Sequence, residues 1–156
     1  MRTVDPGHFR SVMGNFATGV TVITATAGSG PVGMTANAVA SLSLEPLLLL
    51  VAFDNTARTL QVVRETERFG VNVLGAGQEE LARLFASKAP EDAKFAGVPH
   101  SLHDGLPVID GTIAWVGCRL ERLVDGGDHT IGIGAVESAE AGDGRPLLWF
   151  RGVYRT

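Results

Sequence analysis

Cysteine is nearly missing from this sequence: Cys118 stands alone, so an intramolecular disulfide framework and a four-cysteine zinc site are both excluded. A chain that needs no disulfide fits a reducing compartment. Basic clusters are missing too, because the 13 Lys and Arg are scattered and the formal net charge is −4. A surface that neutralises the phosphates of a nucleic acid needs the opposite pattern. We therefore expect a small-molecule or protein partner and no nucleic acid.

Long apolar runs are absent as well. The longest strictly apolar stretch, residues 47–53, is far shorter than the ~18 residues that a membrane helix needs. Near the N-terminus, Asp5, Pro6 and His8 occupy the place where a signal peptide would have its apolar core. These features predict a protein with no membrane segment and no secretion signal, and hence a cytoplasmic location.

The composition is otherwise that of a globular protein. Hydrophobic residues make up 45% and charged residues 19% of the 156 positions, which provides enough apolar surface for one sizeable core. A typical domain holds roughly 100–200 residues, so a second domain is not expected. No internal repeat or flexible linker divides the chain. We predict a single domain over residues 1–156.

Two kinds of hydrophobic periodicity divide the chain into helices and strands. Apolar residues three and four positions apart predict helices, whereas β-branched or alternating segments predict strands. We expect the strand at 47–53 to be central and covered on both faces, and residues 88–105 to form a long irregular loop. The second half is predicted to be mostly antiparallel, because glycine-rich turns separate its strands. The predicted helices are 4–16, 57–67 and 78–87, and the predicted strands are 20–26, 32–41, 47–53, 69–74, 108–123, 130–138 and 147–154.

The segment 28–54 fits two opposed interpretations. Its three glycines follow the G-x-G-x-x-G spacing of a dinucleotide-binding turn, and Asp54 ends the next predicted strand. That interpretation requires a helix that starts at the third glycine. Residues 34–43 instead mix β-branched and hydroxyl side chains, and Pro31 removes an N–H that a pyrophosphate would use. Because no later βαβ units follow, we favour the other interpretation, a hairpin turn at residues 28–31.

In the hairpin interpretation, four polar side chains line one side of the chain. Thr35, Asn37, Ser41 and Ser43 all occupy odd positions, so an extended chain would direct them the same way. Three hydroxyls and an amide in one row can contact a phosphate-bearing, heteroaromatic ligand. The alternative is that these side chains simply cover a solvated face. The pattern alone leaves both interpretations open.

Ordered motifs along the whole chain resemble those of the short-chain flavin reductase family. The resemblance extends from Phe9 to Arg155, and a series of matches in order is more specific than any single motif. It implies an antiparallel, Greek-key-like fold that is mainly β with flanking helices, the FMN-binding split β-barrel. The matching motifs are FATGVTV at 16–22, GMTAN at 33–37, SLSLEP at 41–46, KFAGV at 94–98, CRLE at 118–121 and GDHTI at 127–131.

The resemblance also implies a flavin site built from three segments. One segment is expected along the isoalloxazine ring, a second at the ribityl chain and phosphate, and a third at the phosphate, where N–H groups at a helix start and a hydroxyl can bind it. A serine and a lysine after the next helix would add a hydroxyl and a positive charge. The expected residues are Met34, Thr35, Ala36 and Asn37; Ser41, Leu42 and Ser43; Asp54, Asn55 and Thr56; and Ser87 and Lys88.

His129 is the candidate catalytic residue. On an extended strand it would share a face with Ile131 and Ile133, which by itself indicates a histidine of the core. In the family that the chain resembles, the same Gly-Asp-His motif lies beside the flavin, on the side where nicotinamide stacks. The resemblance therefore assigns His129 to substrate positioning.

Other reactive side chains have simpler explanations. His100 and His103 have loose metal-ligand spacing without a third partner, so we expect a loop pair and no metal site. Cys118 shares a strand face with apolar residues and is expected to be a small core residue. Tyr154 and Arg155 either cap the flavin pocket or close the barrel.

The activity implied by the resemblance is that of an NAD(P)H:flavin oxidoreductase. Hydride passes from nicotinamide to flavin, so the protein mainly aligns two rings and needs no acid–base pair. FMN is the expected flavin, with FAD or riboflavin in its place as an alternative, and NADH or NADPH is the donor. Reduced flavin would diffuse to a partner oxygenase. A homodimer is also implied, with the barrel edge and Trp115 or Trp149 at its interface.

Two further functions fit the same fold. One is a flavin-storage or flavin-sensing module that binds FMN without turnover. The other is a split-barrel oxidase that acts on a small metabolite.

Overall fold

The computed structural model describes residues 3–156, which form four helices and twelve strands. The helices are α1 (Pro6–Met13), α2 (Arg58–Thr66), α3 (Glu79–Ala86) and α4 (Glu91–Phe95). The strands are β1 (Thr18–Gly19), β2 (Thr21–Ala27), β3 (Gly30–Ala36), β4 (Val39–Leu44), β5 (Leu47–Asp54), β6 (Arg68–Val73), β7 (His100–His103), β8 (Leu106–Ile109), β9 (Ala114–Gly126), β10 (His129–Ala141), β11 (Leu148–Phe150) and β12 (Val153–Arg155). None of the helices in this range has the length and hydropathy of a transmembrane segment.

Seven strands form the main sheet, in the order β3-β2-β6-β9-β10-β5-β4. Every neighbouring pair in it is antiparallel. Smaller sheets are formed by β1, β11 and β12 and by the β7–β8 hairpin. The prediction of a mainly β, antiparallel fold with flanking helices is confirmed.

The connection between β3 and β4 shows that the main sheet is curled. These strands lie at its two opposite edges, yet only residues 37–38 separate them in the chain. Seven flat strands at their usual spacing would place the edges about 29 Å apart. The three Cα steps from Ala36 to Val39 reach at most about 11 Å. The two edges therefore approach each other, as they do in an open, split barrel.

The first helix begins at Pro6, two residues after the start of the predicted segment 4–16. The Asp5 carboxylate accepts a hydrogen bond from the His8 N–H at 2.8 Å, and Pro6 occupies the first helical turn. The helix ends at Met13, earlier than the predicted residue 16. None of its residues is buried, so its apolar side chains face outward.

The predicted strand 32–41 is wrong as one continuous element. It is interrupted at residues 37–38, so β3 pairs with β2 and β4 pairs with β5. The four polar side chains that were expected in one row therefore lie on two strands. No helix starts at Gly33, which excludes the dinucleotide-binding interpretation, and the hairpin turn follows β2 as predicted.

Strand β5 differs from its prediction as a central, fully covered strand. It is second from the edge, and its exposure alternates along the strand. β2, in contrast, is covered on both faces: Ile23 belongs to one apolar cluster and Val22 to the other. Burial of β2 was hidden from sequence reasoning because its polar residues, such as Thr24, are buried with it.

The second half also departs from its prediction in three places. The long loop at 88–105 contains α4 and β7, and the strand at 147–154 is divided by a turn at Arg151 and Gly152. Trp115 is 5% exposed, so it belongs to the core of the chain and is not available at an interface. Trp149 is half-buried against Tyr154, with ring centroids 4.8 Å apart.

Cys118 is a core residue, as predicted. It is completely buried on β9, opposite Phe69 of β6. Burial raises the pKa of the Cys118 thiol to about 12, so the thiolate that would act as a nucleophile is not populated near neutral pH.

Candidate functional site

A hydrogen-bonded turn forms the end of β5, where one of the predicted phosphate segments lies. The Asp54 carboxylate accepts hydrogen bonds from the Thr56 hydroxyl at 2.7 Å and from its backbone N–H at 2.8 Å. These bonds are the main reason that the pKa of Asp54 lies below its usual range, and the charges of His129 and Lys88 lower it further, while burial opposes them. Asp54 is therefore ionised at neutral pH, and both donors of Thr56 are engaged with it.

Asn55 connects this turn to the β9–β10 hairpin. Its backbone N–H donates to the carbonyl of Asp128, and its side-chain Nδ2 donates to the carbonyl of Gly127, both at 3.1 Å. Its Oδ1 accepts a hydrogen bond from the Thr130 hydroxyl at 2.6 Å. The polar groups of Asn55 are thus hydrogen-bonded to other residues of the chain, and these bonds fix the hairpin turn against the end of β5.

His129 lies at the start of β10, directly opposite Asp54 of β5. Its Nδ1 is 2.7 Å from Oδ1 of Asp128. Since an ionised carboxylate only accepts hydrogen bonds, Nδ1 carries the hydrogen and Nε2 is the ring nitrogen left free. The side chain is 43% exposed, so His129 is not a core histidine. Its ring is available to a ligand at the surface.

Ser87 and Lys88 follow α3 directly. The Ser87 hydroxyl donates to the carbonyl of Leu84 at 2.6 Å and closes the end of α3. Lys88 is exposed and has no ion pair among residues 3–156, but its charge acts on Asp54. The structure therefore places Lys88 and His129 near Asp54, the first residue of the predicted segment 54–56.

The predicted ring segment, residues 34–37, lies at the end of edge strand β3. Met34 packs against the main core cluster and Ala36 is buried within it. The Thr35 hydroxyl donates to the carbonyl of Ala82 in α3 at 2.6 Å, so it is already paired within the protein. Asn37 is exposed and is the side chain of this segment that a ligand can contact most freely.

The predicted ribityl segment lies on edge strand β4. Ser41 and Leu42 are exposed, whereas Ser43 is half-buried and its hydroxyl accepts a hydrogen bond from the Glu45 N–H at 3.3 Å. The pairing with β5 skips Leu42, which forms a bulge between the two serines. A bulge redirects side chains at a sheet edge, which is a common device next to binding sites.

The register of β4 against β5 separates two of the predicted phosphate segments. The carbonyl of Ala38 accepts a hydrogen bond from the Ala52 N–H at 2.9 Å, which places Asn37 near the end of β5. Ser43, in contrast, pairs with Leu48, six residues before Asp54. Six residues of a strand span about 20 Å. Residues 41–43 and 54–56 are therefore too far apart to contact the same phosphate group.

Two surface cavities lie away from these residues. A cavity of about 710 Å³ is lined by charged side chains of β6 and β9, among them Arg68 and Arg119. Another, of about 550 Å³, lies between α1 and the turn at Arg151. Within residues 3–156, no three His, Cys, Asp or Glu side chains are grouped in a way that could hold a metal ion.

Comparison with known proteins decides the family. The model of the flavin reductase like domain matches residues 13–156. The chain belongs to the flavin reductase-like family. This flavin reductase-like chain is 43% identical over 157 residues to HsaB, the reductase subunit of a flavin-dependent monooxygenase from Mycobacterium tuberculosis, with 97% of the chain and 82% of the relative covered. It is 40% identical over 147 residues to SmoA, an FMN reductase (NADH) from Agrobacterium fabrum, with 94% and 83% covered.

Solved structures agree with this assignment. The flavin reductase-like chain matches the NADH:FAD oxidoreductase SgcE6 of Streptomyces globisporus with a TM-score of 0.92 and 40% identity, over 99% of this chain and 96% of that one. SgcE6 has also been solved in complex with NAD and FAD fragments, and that structure matches with a TM-score of 0.91. The predicted family and the predicted flavin reductase class are confirmed, and the alternative functions are not favoured.

Sequence reasoning missed how many of the site's polar groups are paired within the protein. The hydroxyls of Thr35, Thr56 and Ser87 all have acceptors in the chain. Short-range spacing carries a signal for the Thr56 bond, because a threonine two residues after an aspartate commonly forms such a turn. It carries none for Thr35, whose acceptor is 47 residues away.

Proposed function

We propose that this chain transfers hydride from NADH to a flavin and releases the reduced flavin to a separate oxygenase component. The observation that carries the proposal is the convergence of Lys88, His129 and Asn37 at the end of β5, in a chain whose relatives are reductase subunits of flavin-dependent monooxygenases. A cation and exposed hydrogen-bonding groups at one place suit an anionic nucleotide with a polar ring.

The residues present fit a flavin if its phosphate lies at the cationic end of the site. Lys88 supplies a positive charge there, next to Ser87 in the chain, and its charge also acts on Asp54 of the segment 54–56. Residues 34–37 then lie along the ring, where Asn37 is the exposed amide. Residues 41–43, about 20 Å from Asp54 by strand spacing, contact a part of the ligand remote from the phosphate. A bound flavin supplies the hydride acceptor, and the electronics of the transfer belong to the two cofactors.

The contribution of the chain is alignment. His129 is held by Asp128, which leaves Nε2 to form a hydrogen bond with the nicotinamide carboxamide and so to orient that ring. Asn55 keeps the His129 hairpin at a fixed position against β5. Close alignment of two reactants supplies much of the rate when no acid–base step is needed.

Cofactor turnover tests the proposed activity directly. Purified protein with FMN, FAD or riboflavin should rapidly consume NADH, followed through the nicotinamide absorbance, because the site holds both rings in contact. NADPH in place of NADH completes the comparison. A protein that binds flavin, turns yellow and leaves both nicotinamides unchanged would support the storage module, and the proposed reductase would be abandoned.

We also propose that the chain forms a homodimer, in which the second copy covers α1 and the β4 edge. Phe16, after α1, is 69% exposed and Leu44 of β4 is 82% exposed, and further large apolar side chains of both elements lie open. β4 has an unpaired row of backbone N–H and C=O groups, which another strand or segment can satisfy. Apolar surface of this extent indicates a protein interface. Because Ser41 and Leu42 lie on β4, the second copy would also cover one side of the flavin site.

The dimer proposal predicts the mass in solution. The wild-type protein should sediment at twice the chain mass of 16.4 kDa. A Phe9→Glu/Phe16→Glu variant should sediment as a monomer at the same concentration, because two charges would be buried without partners. Leu102→Glu is the matched control, since Leu102 is 63% exposed but lies on the separate β7–β8 hairpin. A monomeric wild type, or equal effects of both changes, contradicts this interface.

A further inference from the structure

Gly33 lies at a point where an edge strand meets two helices. It belongs to β3, which has a sheet neighbour on one side alone. A Cβ at Gly33 would lie 2.8 Å from the ring of Phe85 in α3 and 3.3 Å from the ring of Phe95 in α4, so only glycine fits without a shift. The two rings contact each other edge to face, with centroids 4.9 Å apart. β3 and both helices are thus packed together at this residue.

Two charged side chains of α4 form hydrogen bonds with the backbone N–H and C=O groups of Gly33. The Gly33 N–H donates to Oε2 of Glu91 at 3.1 Å, and its carbonyl accepts from Nζ of Lys94 at 3.4 Å. Nζ also lies 3.3 Å from Oε1 of Glu91, so the three groups form a closed ring of contacts. Lys94 is 6% exposed. Lysine is almost never buried to this degree unless it is paired.

This ring, which we call the Glu91–Lys94 clamp, holds both sides of the proposed flavin site. Gly33 directly precedes residues 34–37, and Glu91 follows Lys88 by three positions. A second bond, from the Thr35 hydroxyl to the Ala82 carbonyl at 2.6 Å, fixes α3 to the same strand. The loop with Ser87 and Lys88 therefore connects two helices that are both attached to β3. Any shift of α4 moves the phosphate side of the site relative to its ring side.

We propose that Glu91 and Lys94 are positioning residues, which set the geometry of the flavin site by locking α4 and the Lys88 loop to β3. The clamp touches neither flavin nor nicotinamide in this proposal, and its effect passes through Gly33 and Lys88. Covering an edge strand would need only apolar contact, which Phe85 and Phe95 already supply. A buried ion pair adds a defined register between strand and helix, because its hydrogen bonds are satisfied in one arrangement. The inference rests on the proposed flavin site.

The test compares two clamp variants with a matched helix variant. Glu91→Ala and Lys94→Met each open the clamp. Glu79→Ala is the control, because Glu79 is also in the first turn of a helix and pairs with a cation of the same helix, Arg83, but at the surface. We expect both clamp variants to raise KM for flavin about tenfold and to leave KM for NADH within about twofold. Glu79→Ala should change neither.

A change in KM for flavin without a change in KM for NADH distinguishes positioning from a loss of folded protein. A loss of folded protein would lower the active fraction and leave both KM values unchanged. Hydrogen exchange provides a readout that needs no flavin: the Gly33 amide should exchange faster in Glu91→Ala than in Glu79→Ala. An unchanged flavin KM in either clamp variant that folds overturns the proposal, as does an unchanged Gly33 exchange rate. A wild type that neither binds nor reduces flavin refutes the proposed function instead, and the exchange measurement then still decides whether the clamp holds β3.

Discussion

Replacing His129 by Ala should lower kcat for NADH-dependent flavin reduction by about 10- to 100-fold, while the flavin Kd changes by less than about threefold. The expected loss is in alignment, because in the proposed site Nε2 of His129 orients nicotinamide, whereas the proposed flavin contacts lie on β3, β4 and the Lys88 loop. Steady-state kinetics with saturating flavin give kcat, and quenching of flavin fluorescence gives Kd. The two measurements separate nicotinamide positioning from flavin binding.

His103→Ala is the matched control for that experiment. Like His129, His103 is exposed and next to an aspartate in the sequence, with its Nε2 3.5 Å from Oδ2 of Asp104. It lies on the β7–β8 hairpin and packs edge to face on Trp115, away from the proposed site. Its replacement should leave kcat within about twofold. Unchanged turnover in His129→Ala removes His129 from the site, and a parallel loss of flavin affinity moves its role to the flavin.

The local features of this fold were readable from the sequence. Asp5 and Pro6 mark the start of α1 because cap and first-turn residues act over three or four positions. The turn at residues 28–31 and the absence of a helix after Gly33 also follow from neighbouring residues. The roles of His129 and Lys88 came from the resemblance to flavin reductases, and they remain predictions for this chain. What the structure adds is that both approach Asp54.

The arrangement of β3 and β4 was not readable in the same way. An alternating pattern gives the direction of side chains, but it does not give the strand with which a segment pairs. Residues 32–44 alternate in much the same way whether the chain runs straight or changes edges at Asn37. The chain can pass from one edge of the sheet to the other within residues 37–38 only because the sheet is curled, and the curl depends on all seven strands. The separation of residues 41–43 from 54–56 follows from this pairing. The family resemblance, which placed both segments at the phosphate, carried no information on that distance.

Buried polar residues were the other feature that spacing could not predict. From the sequence, Lys94 is expected to be a solvated loop residue. In the structure it is in contact with Glu91 and the backbone of Gly33. Asn72 lies within a short strand that was predicted from its apolar residues. It is fully buried, and its partners are 35 to 50 residues away in the chain. Both residues complete hydrogen bonds that exist only after distant segments have met.

Asn72→Ala should therefore destabilise the fold by about 2–4 kcal/mol. Its Oδ1 accepts the Ile109 N–H at 2.8 Å, and its Nδ2 lies 3.2 Å from the Val22 carbonyl and 3.4 Å from the Pro107 carbonyl. These bonds join β6 to β2 and β8. Truncation leaves the Ile109 N–H buried without an acceptor and opens a cavity beside it. The free energy of unfolding in denaturant, at fixed protein concentration, measures the loss.

Asn15→Ala is the control that separates the effect of burial on stability from the effect of the number of hydrogen bonds. Asn15 makes three side-chain hydrogen bonds, where Asn72 makes four, but it is exposed. It donates to the carbonyls of Ser11 and Val12 at 3.1 and 3.2 Å and accepts from Nε of Arg151 at 2.9 Å. Water replaces such bonds when they are lost, so the expected destabilisation is below about 1 kcal/mol. Equal losses in the two variants would mean that bond number, and not the buried junction of β2, β6 and β8, determines the stability at Asn72.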